Sequence, residues 1–289
     1  MGWLDWLDRL RAAVGRAPAQ IPDPLWQATL GQLPFLDRLD HADTARLKLL
    51  CERLLDRKPL SGARGFEVSD EIAVLVAAQA CLLVLNLDLA LYDDMSAIIV
   101  FPEAFGVRQR HIDEAGVVHE WDEALAGEAV EQGGAVVLSW QDVMHQHEPG
   151  AAHNIVIHEF AHKIDTGRGS ANGCPPCLPG LHDRALLNDW PAVFTAAYED
   201  FCSRVDRMED GLPPDFDPDR PDHAHLYDQL ASRLPLDPYA SRDPAEFFAV
   251  ASEAFFVDPQ PLADGYPQVY RKLAAYYRQN PLDDGRSGR

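Results

Sequence analysis

Apolar residues recur every three or four positions over several stretches of the chain, and each such stretch predicts a helix with one face turned toward a core. Met1 to Gly15 sets Trp3, Leu4, Trp6, Leu7, Leu10 and Val14 at that spacing between charges, the pattern of an amphipathic helix. Ala17 to Pro24 follows with three prolines in eight residues and predicts a linker, because proline removes a backbone donor and crowds the preceding turn. The main body is expected to start near Leu25. Asp43 to Asp56 places Leu47, Leu50, Leu54 and Leu55 on one face of a helix. Ile72 to Leu85 is apolar nearly throughout and, with Asp70 as its N-cap, predicts a helix buried all round. It contains Gln79 and falls short of the roughly 18 apolar residues that span a bilayer, so a core position is expected.

The period then changes. Ala97 to Phe101 and Ala135 to Leu138 are short β-branched runs bounded by proline or glycine, and they predict two strands of a small sheet. Helical spacing returns from Asn154 to Asp165, breaks in a stretch rich in glycine and proline up to Pro179, and resumes at Asp189 to Arg207 and Pro244 to Phe256. Gly211 to Asp222, dense in proline and aspartate, predicts a solvated loop or insertion. The expected fold class is α+β. Its expected parts are an amphipathic helix and linker over 1–24, a helical region over 25–96, a sheet-bearing domain over 97–282 and a disordered tail over 283–289.

Composition narrows the partners. Hydrophobic residues make up 47% of the 289 positions and charged residues 25%, which is the balance of a globular chain. There are 25 basic and 46 acidic side chains, a formal net charge of −21, with the acidic excess spread along the chain. Such a field repels phosphate backbones and anionic lipid, so neither direct nucleic-acid binding nor membrane binding is expected. A protein, peptide or small-molecule partner is. The five cysteines are odd in number and mostly isolated in apolar runs, which fits a reduced, cytoplasmic setting. Residues 1–15 lack an unbroken apolar stretch and a cleavage site, so they do not read as a signal peptide.

The strongest chemical signal is His158-Glu159-Phe160-Ala161-His162. On a helix, four residues advance about 400°, so both imidazoles lie on one face about 6 Å apart along the axis and can bind one zinc ion. Glu159 then lies beside the metal as a general base. A third protein ligand must come from elsewhere. Asp165 and Arg168 stand where the elongated motif would carry a glycine and a third histidine, so that arrangement is excluded. The other common arrangement takes a glutamate from a later helix, and the apolar segment Ala245 to Phe256 carries Glu246 and Glu253. Burial of either needs a partner. Glu246 also has a capping explanation, with Asp243 at N-cap, Pro244 at N1 and Glu246 at N3, so local pattern leaves the two carboxylates equal. His182 and Asp165 are minor candidates, the latter as a residue that orients a ligand imidazole.

Other features carry less. Cys174 and Cys177 form a lone C-x-x-C with two prolines between them, which predicts a stiff loop and no second pair to complete a metal site. His145, His147 and His153 read as solvated loop histidines, and neither Ser139 nor Ser252 belongs to a recognisable serine triad.

The segments NIVIHEFAHKID (154–165) and YASRDPAEFFAVASE (239–253) resemble the Mlc titration factor A (MtfA) family of zinc metallopeptidases, whose catalytic core is similar to the anthrax lethal factor protease domain. Weaker matches run through 26–36, 77–83, 98–102, 137–143 and 266–282, nearly the whole chain from residue 26. The resemblance implies a zincin-like domain holding one zinc, with Glu246 as the third ligand beside His158 and His162. It implies that Tyr239 stabilises the oxyanion, that the activity is aminopeptidase-like on a peptide that lies along the strand over 136–139, and that the location is cytoplasmic. It also brings a competing role, sequestration of a glucose-responsive transcriptional repressor. The interval from His162 to Glu246 is longer than in that family, with 211–222 as the insertion.

Overall fold

The structure, a computed structural model, describes residues 20–103, 134–145, 153–183 and 188–283. The expected amphipathic helix at the N-terminus and nearly all of the expected tail lie outside them. The chain divides into two units, Met1–Ala151 and Ala152–Arg289.

In the first unit, α1 (Asp23–Leu30) begins inside the proline-rich stretch assigned to a linker. Pro24 sits in its first turn, where the missing N–H costs nothing and the fixed φ suits a helix. Helix α2 (His41–Arg57) is capped by Asp40, whose side chain accepts from the Asp43 N–H, and it buries Leu47, Cys51, Leu54 and Leu55. Helix α3 (Asp70–Leu83) is buried from Ala73 to Leu83 and packs with α1 and α2. Its N-cap is Ser69, one residue before the expected Asp70; the Ser69 hydroxyl accepts the Ile72 N–H and Asp70 becomes the first helical residue. The Tyr92 hydroxyl, fully buried, donates to the Ala80 carbonyl oxygen at 2.8 Å.

The two expected strands are present as β2 (Ile98–Phe101) and β3 (Val136–Ser139), and β1 (Leu60–Gly62) joins them. All pairings are parallel, in the order β1-β2-β3, with Ile98 opposite Leu60 and Val136. Parallel neighbours need a crossover, and α3 supplies the one between β1 and β2. β3, followed by the short α4 (Trp140–His145), forms one edge of the sheet among the described residues. Strand β1 escapes sequence reading because Leu60-Ser61-Gly62 is too short to show a period.

The second unit is helical: α5 (Ile155–Asp165), α6 (Trp190–Glu209), α7 (Pro221–Ala231), α8 (Pro244–Val257), α9 (Pro259–Gly265) and α10 (Pro267–Tyr277). Its centre is α8, which packs on α5, α6, α9 and α10. Phe247, Phe248, Phe255 and Phe256 are fully buried, and such a side chain contributes roughly 1.5–3 kcal/mol when removed from water. Trp190 stacks on Phe194 at 4.2 Å between ring centroids and meets Phe248 and Tyr276 edge-on, which ties α6, α8 and α10 together. The predicted loop over 211–222 gives way at Pro221 to α7, and Phe216 stacks on the buried His223. Proline at the first helical turn, read as loop punctuation, starts this helix too. No helix among the described residues is long and apolar enough to cross a membrane.

Candidate metal centre

Helix α5 starts where Asn154 accepts the Ile157 N–H on its side-chain oxygen at 2.9 Å. That start places His158 and His162 one turn apart on one face, with their Nε2 atoms 3.1 Å from each other. Helix α8 is capped by Asp243, whose Oδ1 accepts the N–H groups of Ala245 and Glu246 at 2.9 and 3.0 Å. Glu246 is thereby held in the first turn, and its side chain does not reach back to complete a capping box. Its Oε2 lies 3.0 Å from His158 Nε2 and 3.1 Å from His162 Nε2. These three side chains are the one group of potential metal ligands that converge among the described residues.

Glu253, the equal alternative on sequence pattern, stands behind this group. It is 1% exposed; its Oε2 accepts the Asn154 N–H at 2.6 Å and its Oε1 lies 2.5 Å from His158 Nδ1. Two α-helical turns after Glu246, it faces α5 too, but it meets the far nitrogen of the imidazole. With the ring proton assigned to Nδ1, the contact is a hydrogen bond from His158 to Glu253, and Nε2 is left with a lone pair.

That lone pair decides what the group can hold. His158 Nε2 faces a carboxylate oxygen and a second imidazole nitrogen, and three electron-rich atoms about 3.0–3.1 Å apart repel unless a proton or a metal cation lies among them. Zinc bonds of about 2.0–2.1 Å at tetrahedral angles give a ligand-to-ligand edge of roughly 3.3 Å. Two imidazoles and a carboxylate with these separations fit zinc. Protein groups alone show the same demand for positive charge. Burial disfavours the His158 cation, yet the Glu253 charge and the hydrogen bonds to Glu246 and Glu253 push its pKa up to about 10. Burial also works to raise Glu246, but its hydrogen bonds with both histidines hold it far below the usual carboxylate range.

Around the group lie the two residues expected to act in chemistry. Glu159 makes no hydrogen bond to the described protein, and burial raises its carboxyl pKa while the charges of His158 and His162 oppose that rise. Tyr239 lies on the turn Pro238–Ser241, whose start is fixed by the Asp237 carboxylate accepting the Tyr239 N–H at 2.8 Å. Its hydroxyl donates to Glu246 Oε1 at 3.2 Å and accepts from Arg242 Nη1 at 2.8 Å. A half-buried loop aromatic is thus brought to the Glu246 carboxylate, and its phenol pKa is raised by burial and by the Glu246 charge. The adjacent His153, expected to be merely solvated, pairs with Asp237 at 2.8 Å.

The minor candidates are elsewhere. His182 accepts the Leu178 N–H at Nδ1 and bonds the Tyr276 carbonyl oxygen through Nε2, so both nitrogens hold the fold. Asp165 does not hydrogen-bond His158 or His162. Its Oδ2 accepts the N–H groups of Asn172 and Gly173, both at 2.7 Å, and its Oδ1 is buried without a hydrogen-bond partner. Gly173 in turn accepts from Trp190 Nε1 at 2.9 Å. Cys174 and Cys177, next in this loop, join no group of three potential metal ligands among the described residues. Ser139 accepts the Asp142 N–H, and Ser252 donates to the Phe248 carbonyl while accepting from the Tyr277 hydroxyl, so both serines are structural.

Comparison with known proteins points to a metallopeptidase family. Residues 6–278 match the family model described as glucose-regulated metallo-peptidase M90. The chain is 33% identical over 282 residues to the uncharacterized protein slr2042 of Synechocystis sp., covering 97% of this chain and 90% of that protein. It is 33% identical over 258 residues to a protein named Mlc titration factor A from Serratia proteamaculans, covering 89% and 87%. The protein of the same name from an Escherichia coli O139:H28 strain is 30% identical over 257 residues, covering 89% and 86%. Matched over nearly its whole length, the chain belongs to the glucose-regulated metallo-peptidase M90 family.

Proposed function

We propose that this chain is a zinc-dependent peptidase of the zincin type, with aminopeptidase-like action, and that His158, His162 and Glu246 hold one zinc ion. The observation that carries the reading is the convergence of two imidazole Nε2 atoms and a Glu246 oxygen, 3.0–3.1 Å from one another, with Glu253 set against the opposite nitrogen of His158. Zinc bound there supplies a Lewis acid and a water whose pKa falls toward about 7. Glu159 takes the proton of the attacking water, since its carboxylate has no protein hydrogen bond to give up, and then delivers that proton to the leaving amine. A carboxyl pKa raised by burial suits both transfers. The Tyr239 phenol, neutral and already at the rim of the group, donates to the oxyanion of the tetrahedral adduct. Glu253 keeps His158 in the tautomer that can bind metal.

The test is elemental analysis together with turnover of amino-terminally free peptides by the zinc-loaded protein. About one zinc per chain and hydrolysis that Glu159→Gln abolishes support the reading; absence of zinc after reconstitution overturns it.

The name Mlc titration factor A, carried by two of the relatives, favours a second role, binding of a transcriptional repressor of the Mlc type. A cytoplasmic location goes with it. Capture of such a repressor by Glu159→Gln protein, with peptide hydrolysis lost, would show that binding is separable from hydrolysis; loss of both would tie them together.

A further inference from the structure

Arg242 is an exposed cation set directly on the chemical group of the site. Its Nη1 donates to the Tyr239 hydroxyl at 2.8 Å, and that hydroxyl reaches Glu246 at 3.2 Å, so the guanidinium is one side chain removed from a metal ligand. Its carbon lies 5.7 Å from the centre of the Tyr239 ring. The surroundings are acidic: Glu246 and Asp243 both act on it through their charges. Neither pairs with it. Asp243 spends Oδ1 on the cap of α8, and Glu246 faces the two histidines and Tyr239. The remaining N–H groups of the fork therefore make no hydrogen bond to a carboxylate among the described residues, and a planar guanidinium with donors to spare is matched to one.

We propose that Arg242 is a specificity-determining residue that receives a carboxylate of the peptide substrate beside the scissile bond. The proposal rests on the peptidase reading and names the substrate class of that site: peptides that carry a negative charge one residue beyond the cleaved bond. That charge has two sources, a free C-terminus or an acidic side chain. A short peptide ending there would offer the first, and an Asp or Glu within a longer peptide the second. Because Nη1 is shared with Tyr239, a bound carboxylate would also fix the phenol in place; Arg242 acts on the substrate directly and on Tyr239 only through that bond.

Four peptides separate the cases: Ala-Ala, Ala-Ala-amide, Ala-Glu-amide and Ala-Gln-amide. Zinc-loaded wild-type protein is expected to favour one carboxylate member over its amide partner by about tenfold in kcat/KM, the scale of one charge-assisted hydrogen bond. The first pair reports a C-terminal carboxylate and the second a side chain. Arg242→Gln should remove the preference chiefly through KM, and Arg242→Lys should keep part of it, since the charge remains and the fork is lost. Calorimetric binding of the same peptides to Glu159→Gln protein, with and without Arg242→Gln, reads the preference without turnover. No hydrolysis of any peptide alongside an Arg242-dependent binding preference would overturn the peptidase reading alone. Absence of a carboxylate preference in both measurements, or an equal loss of kcat for all four peptides in Arg242→Gln, would overturn the role of Arg242 as a carboxylate receiver.

Discussion

Glu253 and His158 meet at 2.5 Å across the packed faces of α8 and α5, and the same carboxylate accepts the Asn154 N–H where α5 begins. One buried side chain thus fixes both the starting point of the motif helix and the orientation of its first imidazole. Glu253→Gln keeps the size and a carbonyl acceptor but loses the charge behind the ring. It is expected to weaken zinc binding by about 10- to 100-fold, measured by competition with a chromophoric chelator. Unchanged zinc affinity would show that the carboxylate serves only the fold. Glu246→Ala is expected to cost more, because it removes a ligand.

Glu159→Gln should retain zinc and the unfolding temperature while turnover falls by about 10²- to 10⁴-fold, the range of a lost general base. Tyr239→Phe should likewise leave zinc affinity near its original value and lower kcat, by about 10²-fold if the phenol meets the oxyanion. Full activity in either zinc-loaded variant would remove that residue from the chemistry.

His182 predicts a pH dependence of stability. Burial lowers its pKa, and the Tyr276 carbonyl only partly offsets this. The unfolded chain therefore takes up a proton on this ring, near its ordinary value of about 6.5, before the folded chain does. The stability it contributes is complete above that value and is lost as pH falls through the window between it and the lower folded value. Urea midpoints at pH 7.5 and 5.5 should separate more for wild type than for His182→Gln. Equal separations would mean that His182 titrates alike in both states.

Gly173 is a point of close approach. Its φ is +76°, and a Cβ there would lie 2.4 Å from the Pro244 carbonyl oxygen at the start of α8. Gly173→Ala is expected to destabilise the protein by at least about 2 kcal/mol, from backbone strain plus displacement of that carbonyl. Gly180→Ala, also at positive φ but with nothing within 4 Å, should cost about 1 kcal/mol. Calorimetric unfolding of the two variants compares them, and a milder effect at Gly173 would contradict the packing.

The candidate metal group was legible in the sequence to the extent that it is local. His158 and His162 share one helix, so their common face follows from the helical repeat, and α8 is readable because burial leaves it almost no polar residue but two glutamates. Which glutamate meets which nitrogen was not legible, since both face α5 and the difference is the position of each along the crossing. Resemblance to relatives, not periodicity, singled out Glu246 and Tyr239. Arg242 drew no notice because an exposed arginine in a loop has no pattern; only the 2.8 Å contact with Tyr239 distinguishes it. Proline misled twice in the same direction, at Pro24 and Pro221, where a residue that ends helices was also opening them.

Between His162 and Glu246 the chain travels through α6, an acidic proline-rich loop and α7 before it returns. The strap at Asn172 and Gly173 bypasses that journey: its N–H groups hold Asp165 at the end of α5, and its missing side chain lets it lie against Pro244 at the start of α8. Mechanically the strap links the helices that carry His162 and Glu246 over a far shorter path than the backbone takes, and α6 adds a second tie through Trp190, which donates to the Gly173 carbonyl and packs on Phe248. The excursion from Gly211 through Ala231, where Phe216 and His223 stack on each other, lies outside both links, so changes of length there are expected to disturb His158, His162 and Glu246 less than changes in the strap. For a protein engineer it is the place to try a grafted recognition element while the strap and α6 are left intact.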